Sequence, residues 1–173
     1  MPDAAGLELI ANAVRENVAA DAVVGTSYHR EQACLEVAPE HVKATLGWLK
    51  AAPDQEYDFL ASVHGVDYLP EEPRLGVHYE LLNMPRAERL RVKTRVSVDR
   101  PELDSVVDLF PTADFQEREV YDFFGVVFRG HPDLRRILLP EDYEGHPQRR
   151  DFALGGEPVL FTYNEPESPG WYE

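Results

Sequence analysis

The chain has 173 residues, 43% of them hydrophobic and 28% charged, enough for one domain with its own core and room for an extension. Against 17 lysines and arginines stand 32 aspartates and glutamates, a formal net charge of −15, which argues against nucleic acid or an anionic membrane surface as a direct partner, since both would repel most of this surface. The single cysteine, Cys34, can form no internal disulfide and cannot supply an iron–sulfur cluster or a cysteine-rich zinc site.

The opening, Met1 to Gly6, has neither a basic nor an apolar region of the kind a secretory signal needs, and no run approaches a membrane span, so a soluble intracellular protein is expected. Leu7, Ile10, Ala11, Val14 and Val18 recur at helical spacing, predicting an amphipathic helix over 7–20. Val23 to His29 and Ala33 to Ala38 are short and β-branched or alternating, and the polar link Arg30-Glu31-Gln32 joins them as a hairpin. Pro39 sits where a helix starts, and Val42, Leu46 and Leu49 continue it to Pro53, with Trp48 at the edge of that face. From Tyr57 the period falls to two: Phe59, Ala61 and Val63 alternate with Leu60, Ser62 and His64, and Gly65 is expected to mark a bulge. After the turn Pro70-Glu71-Glu72-Pro73, residues Leu75, Val77, Tyr79 and Leu81 share one strand face. Past Asn83-Met84-Pro85-Arg86, Leu90, Val92, Thr94 and Val96 alternate with Arg89, Arg91, Lys93 and Arg95, whose basic face looks outward.

The predicted order α-β-β-α-β-β-β keeps strands adjacent and helices apart. It implies an α+β fold, a two-layer domain with helices on one face of a mixed, mostly antiparallel sheet, followed by an extended C-terminal arm. The basic stripe has no aromatic residues interleaved to stack bases, so it reads as a solvated face or a match for neighbouring acids. The body spans 1–110, a charged helix and turn 111–139, and the arm 140–173.

The most informative stretch runs from Asp114 to Leu138. Asp114 with Glu117 has the form of a capping box after Pro111-Thr112, and Asp114, Arg118 and Asp122 recur every four residues, setting Arg118 between two carboxylates on one stripe. Phe115, Val120, Phe123 and Phe124 fall on another face, and Gly125 is placed to end the helix in the left-handed conformation. Glu119, Asp122 and His131 admit a metal or general-base reading, but Glu117 and Glu119 point to different sides of a helix, and a charge-paired structural helix is the simpler account. The proline- and glycine-rich arm beyond Leu139 carries Phe152, Val159, Phe161, Tyr163, Trp171 and Tyr172, too many apolar groups for an inert tail. It is expected to dock, on its own domain or preferably on another chain.

No dinucleotide glycine fingerprint, P-loop or nucleophile elbow occurs, and the six histidines show no helical metal spacing. His131-Pro132 and His146-Pro147 are expected to donate to backbone carbonyls in turns.

Glu117-Arg118-Glu119-Val120-Tyr121-Asp122-Phe123-Phe124-Gly125, followed by Gly130-His131-Pro132-Asp133-Leu134-Arg135-Arg136-Ile137-Leu138, resembles the signature of the 30 kDa subunit of proton-translocating NADH:quinone oxidoreductase, respiratory complex I. Pro140-Glu141-Asp142, Gly145-His146-Pro147 and Arg149-Arg150-Asp151-Phe152 are similar to its next block. The resemblance implies a cofactor-free scaffold of the peripheral arm, held on the cytoplasmic side of the membrane against the large 49 kDa-type quinone-site subunit. FMN, iron–sulfur clusters and quinone would then lie in partner subunits. It also implies that the signature residues serve packing and assembly rather than catalysis. A related membrane-bound hydrogenase or another donor:quinone dehydrogenase uses similar subunits, and a free-standing metal-dependent enzyme is the alternative from a different class.

Overall fold

Alternation with period two builds one continuous sheet from the first two-thirds of the chain. The computed structural model describes residues 2–153. Its elements are α1 (Ala4–Asn17), β1 (Val23–His29), β2 (Gln32–Val37), α2 (Val42–Ala51), β3 (Phe59–Asp67), β4 (Leu75–Asn83), β5 (Glu88–Val96), β6 (Glu102–Asp104), α3 (Ala113–Phe124) and β7 (Val127–Arg129). A single 3₁₀ turn, Pro39–His41, leads into α2. The order of the five-stranded sheet is β1-β2-β5-β4-β3; within it β2 and β5 pair in parallel and the other neighbours antiparallel. The expected α+β class, with a mixed and mostly antiparallel sheet, is therefore the observed one.

Leu35 and Val37 of β2, Val77, Tyr79 and Leu81 of β4, and Leu90 and Val92 of β5 form the inner face. They join Leu7, Ala11 and Val14 of α1, Leu46 and Leu49 of α2, and Val120 and Phe124 of α3 in one buried cluster. Among the described residues the three α-helices thus lie on the same side of the sheet, and the other face carries no helix. Burial of this apolar surface, at about 25 cal/mol per Å², is what makes the two-residue register binding: a slip by one would put Arg91 and Lys93 into the core.

Several local expectations differ from what forms. Helix α1 begins earlier than the expected 7–20, because Asp3 caps it by accepting from Gly6 N at 2.7 Å, and it ends earlier, at Asn17. The hairpin turn is two residues rather than three: Arg30 and Glu31 both have positive φ, 49° and 63°, and His29 pairs with Gln32. This is the left-handed pair that a tight hairpin demands and that asparagine–glycine usually supplies, so its sequence signal was weak. The bulge in β3 falls at Ala61, between Leu60 and Ser62, rather than at Gly65. Gly65 has a packing reason instead, because a methyl at its Cα would overlap the Phe124 ring. The parallel pair β6–β7 has only three residues per strand and lay unseen beside Pro101.

The basic stripe faces the helix-free side, but three of its four cations are matched: Arg91 by Glu80, Lys93 by Glu36 at 2.9 Å, and Arg95 by Glu71 at 3.1 Å. Within the arm, residues 140–153 fold back on this chain's own body. The later part, with Val159, Phe161, Tyr163, Trp171 and Tyr172, lies outside the described residues.

Candidate functional site

Helix α3 and the segment 131–151 interlock. The start of α3 is decided by Pro111-Thr112: Thr112 precedes the first turn and makes no side-chain capping bond. Asp114 therefore sits inside the helix, and Glu117 is too far along to reach back to the free amides, so the expected capping box does not form. Glu117 instead turns into the core, fully buried. Its carboxylate accepts from Ser105 Oγ at 2.7 Å and Val106 N at 2.8 Å, tying the β6–α3 connection to the helix. Burial pushes this carboxyl up, and the two donors only partly oppose it.

Arg118 does not lie between Asp114 and Asp122. Its guanidinium reaches the carbonyl oxygens of Arg135 and Arg136, both at 3.3 Å, and covers the Phe115 ring at 5.7 Å. The reason is competition, because the Asp122 carboxylate is already saturated. Asp122 is 0% exposed; Oδ2 accepts from the amides of Ile137, Leu138 and Leu139 at 3.0, 2.8 and 2.9 Å, and Oδ1 from Arg136 Nη1 at 2.8 Å. Arg136 also donates through Nη2 to the carbonyls of Tyr143 at 2.8 Å and Gly145 at 3.0 Å. One carboxylate and one guanidinium thus gather two otherwise irregular segments. Burial alone would raise the Asp122 carboxyl, but three amides and Arg136 hold it below the ordinary range.

Gly125 ends the helix at φ +72°, as expected. A side chain there would collide with His146 and Arg149, which use the exposed end of the helix: Arg149 Nε donates to Phe124 O at 2.7 Å, and His146 Nδ1 to Asp122 O at 2.9 Å. The Tyr121 ring meets His146 edge-on at 6.5 Å. His131 accepts from Asp133 N through Nδ1 at 3.0 Å, so its Nε2 carries the proton and donates to Asp114 O at 3.1 Å. Both histidines therefore engage backbone carbonyls, as the His-Pro pairs predict. Pro132 and Arg135 lie on the exposed side of this turn, Arg135 paired with Asp133 at 2.9 Å, while Leu134 packs against the core.

A second knot was missed by sequence reasoning. Arg74, 6% exposed, spans Asp67 and Asp151: Nε and Nη2 reach Asp67 at 2.8 and 2.6 Å, and Nη1 and Nη2 reach Asp151 at 2.8 and 2.6 Å. Arg150 N donates to Asp67 Oδ2 at 2.7 Å. Hydrogen bonding from Arg74, against the opposing effect of burial, holds the Asp67 carboxyl well below the usual range. Asp67 and Arg74 flank the turn between β3 and β4, and nothing in the sequence ties them to a residue more than seventy positions later.

The three residues of the metal or general-base reading are not brought together. Glu119 is exposed, Asp122 is consumed by its own donors, and His131 is bound to Asp114. Among the described residues no group of three or more histidine, cysteine, aspartate or glutamate side chains is placed to hold a metal ion. The ionisable groups of this region do structural work: they satisfy helix ends, fix turns and anchor the root of the arm.

Comparison with known proteins follows the same stretch. Residues 35–158 match the family model of the respiratory-chain NADH dehydrogenase 30 kDa subunit. The chain is 45% identical to the C-type subunit of NADH-quinone oxidoreductase from Roseiflexus castenholzii, across 84% of this chain and 83% of that protein. Among solved structures it is similar to the trypsin-resistant fragment (1-134) of Nqo5, with a TM-score of 0.62 and 34% identity over 72% of this chain and 99% of the fragment. It is also similar to a chain of the membrane-bound sulfane sulfur reductase, an archaeal respiratory membrane complex, with a TM-score of 0.67 and 27% identity over 85% of each chain.

Proposed function

The chain belongs to the family of the 30 kDa subunit of respiratory-chain NADH dehydrogenase, and from that premise we infer that it is a structural and assembly subunit of a proton-translocating NADH:quinone oxidoreductase. It holds no cofactor of its own and packs in the peripheral arm, on the cytoplasmic side of the membrane, against the 49 kDa-type quinone-site subunit and the iron–sulfur subunits. Those partners carry FMN, the clusters and the quinone. The body (1–110) and the helix-and-turn unit (111–139) form the scaffold, and the arm (140–173), anchored to it at its root by Arg149, Arg150 and Asp151, is the segment that docks on the partners. Among the described residues no helix is long and apolar enough to cross a membrane, which suits attachment through other subunits.

One observation carries this reading. In the stretch that the family shares, the buried ionisable side chains of α3 are all used up in internal contacts: Glu117 on Ser105 and Val106, Asp122 on Arg136 and three amides, Arg118 on two carbonyls. An active site keeps such groups free to face a substrate; a scaffold spends them on shape.

The test is purification of the tagged chain from membranes in mild detergent, with co-purifying proteins identified and iron, flavin and NADH:quinone activity assayed. Recovery of iron–sulfur and quinone-site subunits with that activity is expected. A lone protein with a stoichiometric metal would reverse the reading. The likeness to a chain of an archaeal sulfane sulfur reductase favours one second reading, the equivalent subunit of a membrane-bound complex with a different donor or acceptor; active complex lacking NADH oxidation would select it.

A further inference from the structure

The helix-free face of the sheet is half covered and half open. Across β5, β4 and β3 the outward residues form rows set by the register: Arg95, Gly76 and Val66; Lys93, His78 and His64; Arg91, Glu80 and Ser62; Arg89, Leu82 and Phe59. The first two rows are roofed by Tyr68. Its ring lies so close over Gly76 that a Cβ there would collide with it, its hydroxyl bonds His78 Nε2 at 2.8 Å, and Arg95 and Lys93 stand 4.4 and 5.6 Å from its centroid.

Among the described residues the last two rows have no such cover. Apart from Phe59, their residues line an open groove of about 360 Å³, reaching from Gln32 and Ala33 of β2 to Ala61, the bulged residue of β3. The bulge widens β3 where the groove passes, a device that sheets use to re-aim side chains at binding edges. Phe59 at its margin is 45% exposed.

Charge distinguishes this end too. Arg91, Lys93 and Arg95 each have an acidic partner within the chain, whereas Arg89 is exposed and makes no ion pair or hydrogen bond among the described residues. In a chain of net charge −15, an unmatched guanidinium beside the apolar surface of Ala61 and Leu82, with Phe59 at the margin, is a site that a carboxylate would complete. A planar fork suits a carboxylate in two-pronged contact.

We propose that this groove docks a segment of a neighbouring subunit that carries an aspartate or glutamate against Arg89 and an apolar side chain over Leu82 and Ala61. A second copy of this chain is the wrong occupant, since two bodies of −15 repel. The groove volume suits two or three side chains, so the contact is a local anchor added to the interface of the arm. The inference rests on the reading of the chain as a subunit of a larger complex.

The experiment places a photo-crosslinking phenylalanine analogue at position 82 of the tagged full chain and irradiates the purified complex. Expected is a crosslink to a peptide of another subunit with a carboxylate within a few residues, falling about tenfold in Arg89→Glu and much less in Arg89→Lys, which keeps the charge but not the fork. Four outcomes overturn the inference while leaving the complex itself in place: no crosslink, a crosslink to residues 154–173 of this chain, a crosslink to lipid alone, or one that Arg89→Glu leaves unchanged. If no complex co-purifies, the subunit reading fails first and this inference falls with it.

Discussion

Replacing Asp122 by asparagine removes one charge from the centre of the α3 knot and leaves its volume intact. Asparagine offers one oxygen in place of two. If that oxygen faces the amides of Ile137, Leu138 and Leu139, the new amino group meets Arg136 Nη1, which now stands 2.8 Å away, and two donors confront each other. Arg136 is 14% exposed and Asp122 0%, so solvent screens little of the loss. Breaking a buried ion pair by removing one partner costs about 3–5 kcal/mol, against a total stability of about 5–15 kcal/mol for an ordinary domain. The full chain should unfold at distinctly lower urea, and its melting temperature should fall on the order of 10 °C. Below ordinary carboxylate values a second signature appears. The folded Asp122 carboxyl titrates lower than the unfolded one, about 3.9, because its amide and Arg136 donors outweigh burial. Its stabilisation is therefore complete above about pH 4 and lost as pH falls through the folded value. Asp122→Asn should lack that acid limb. A loss below about 1 kcal/mol, or an Asp122→Asn and Arg136→Met pair whose costs simply add, would refute the claim that these two groups organise the segment.

Arg118→Ala should cost about 1–3 kcal/mol in urea unfolding, since two carbonyls lose their donor and Phe115 its cover; the larger loss expected of an arginine bridging Asp114 and Asp122 should not be seen. Gly65→Ala should cost about 1–3 kcal/mol through overlap with the Phe124 ring, and Phe124→Leu should relieve part of it; equal costs with and without the ring would refute the contact. Arg74→Met should free the Asp67 carboxyl and the root of the arm together, so tryptic cleavage after Arg149 or Arg150 should quicken; an unchanged rate denies the latch. Burial, with His64, Arg91 and Lys93 nearby, lowers the His78 pKa to about 3. His78 stays neutral in the folded state while the unfolded chain takes up a proton near pH 6.5, so stability present at pH 7 should fall by about 1–2 kcal/mol by pH 5. Proton titration of the His78 ring resonances checks this directly: an apparent pKa above 6 would contradict it.

Much of the architecture was legible from residue order alone. Leu75, Val77, Tyr79 and Leu81 cannot sit on one face unless β4 is extended, and Gly125 after Phe124 marks where α3 must stop, because both facts depend only on neighbours within a few positions. The short pair β6–β7 carried too few residues to show a period. The Arg30–Glu31 turn lacked the glycine that ordinarily betrays a left-handed pair.

The ionisable residues of the site divide along the same line. Their identity and clustering, Glu117 to Asp122 with Arg135 and Arg136, were fully written in the chain, as was the tie of each His-Pro histidine to a carbonyl. Their pairing was not. Helical spacing set Arg118 beside Asp114 and Asp122, but a buried carboxylate goes to whichever donors best replace its lost water, and three converging amides with Arg136 outcompete a neighbour one turn away. Arg74 finds Asp151 seventy-seven positions on for the same reason: local sequence determines which charges exist and which backbone they ride on, while only the closed fold decides which of them share a buried space and must neutralise one another.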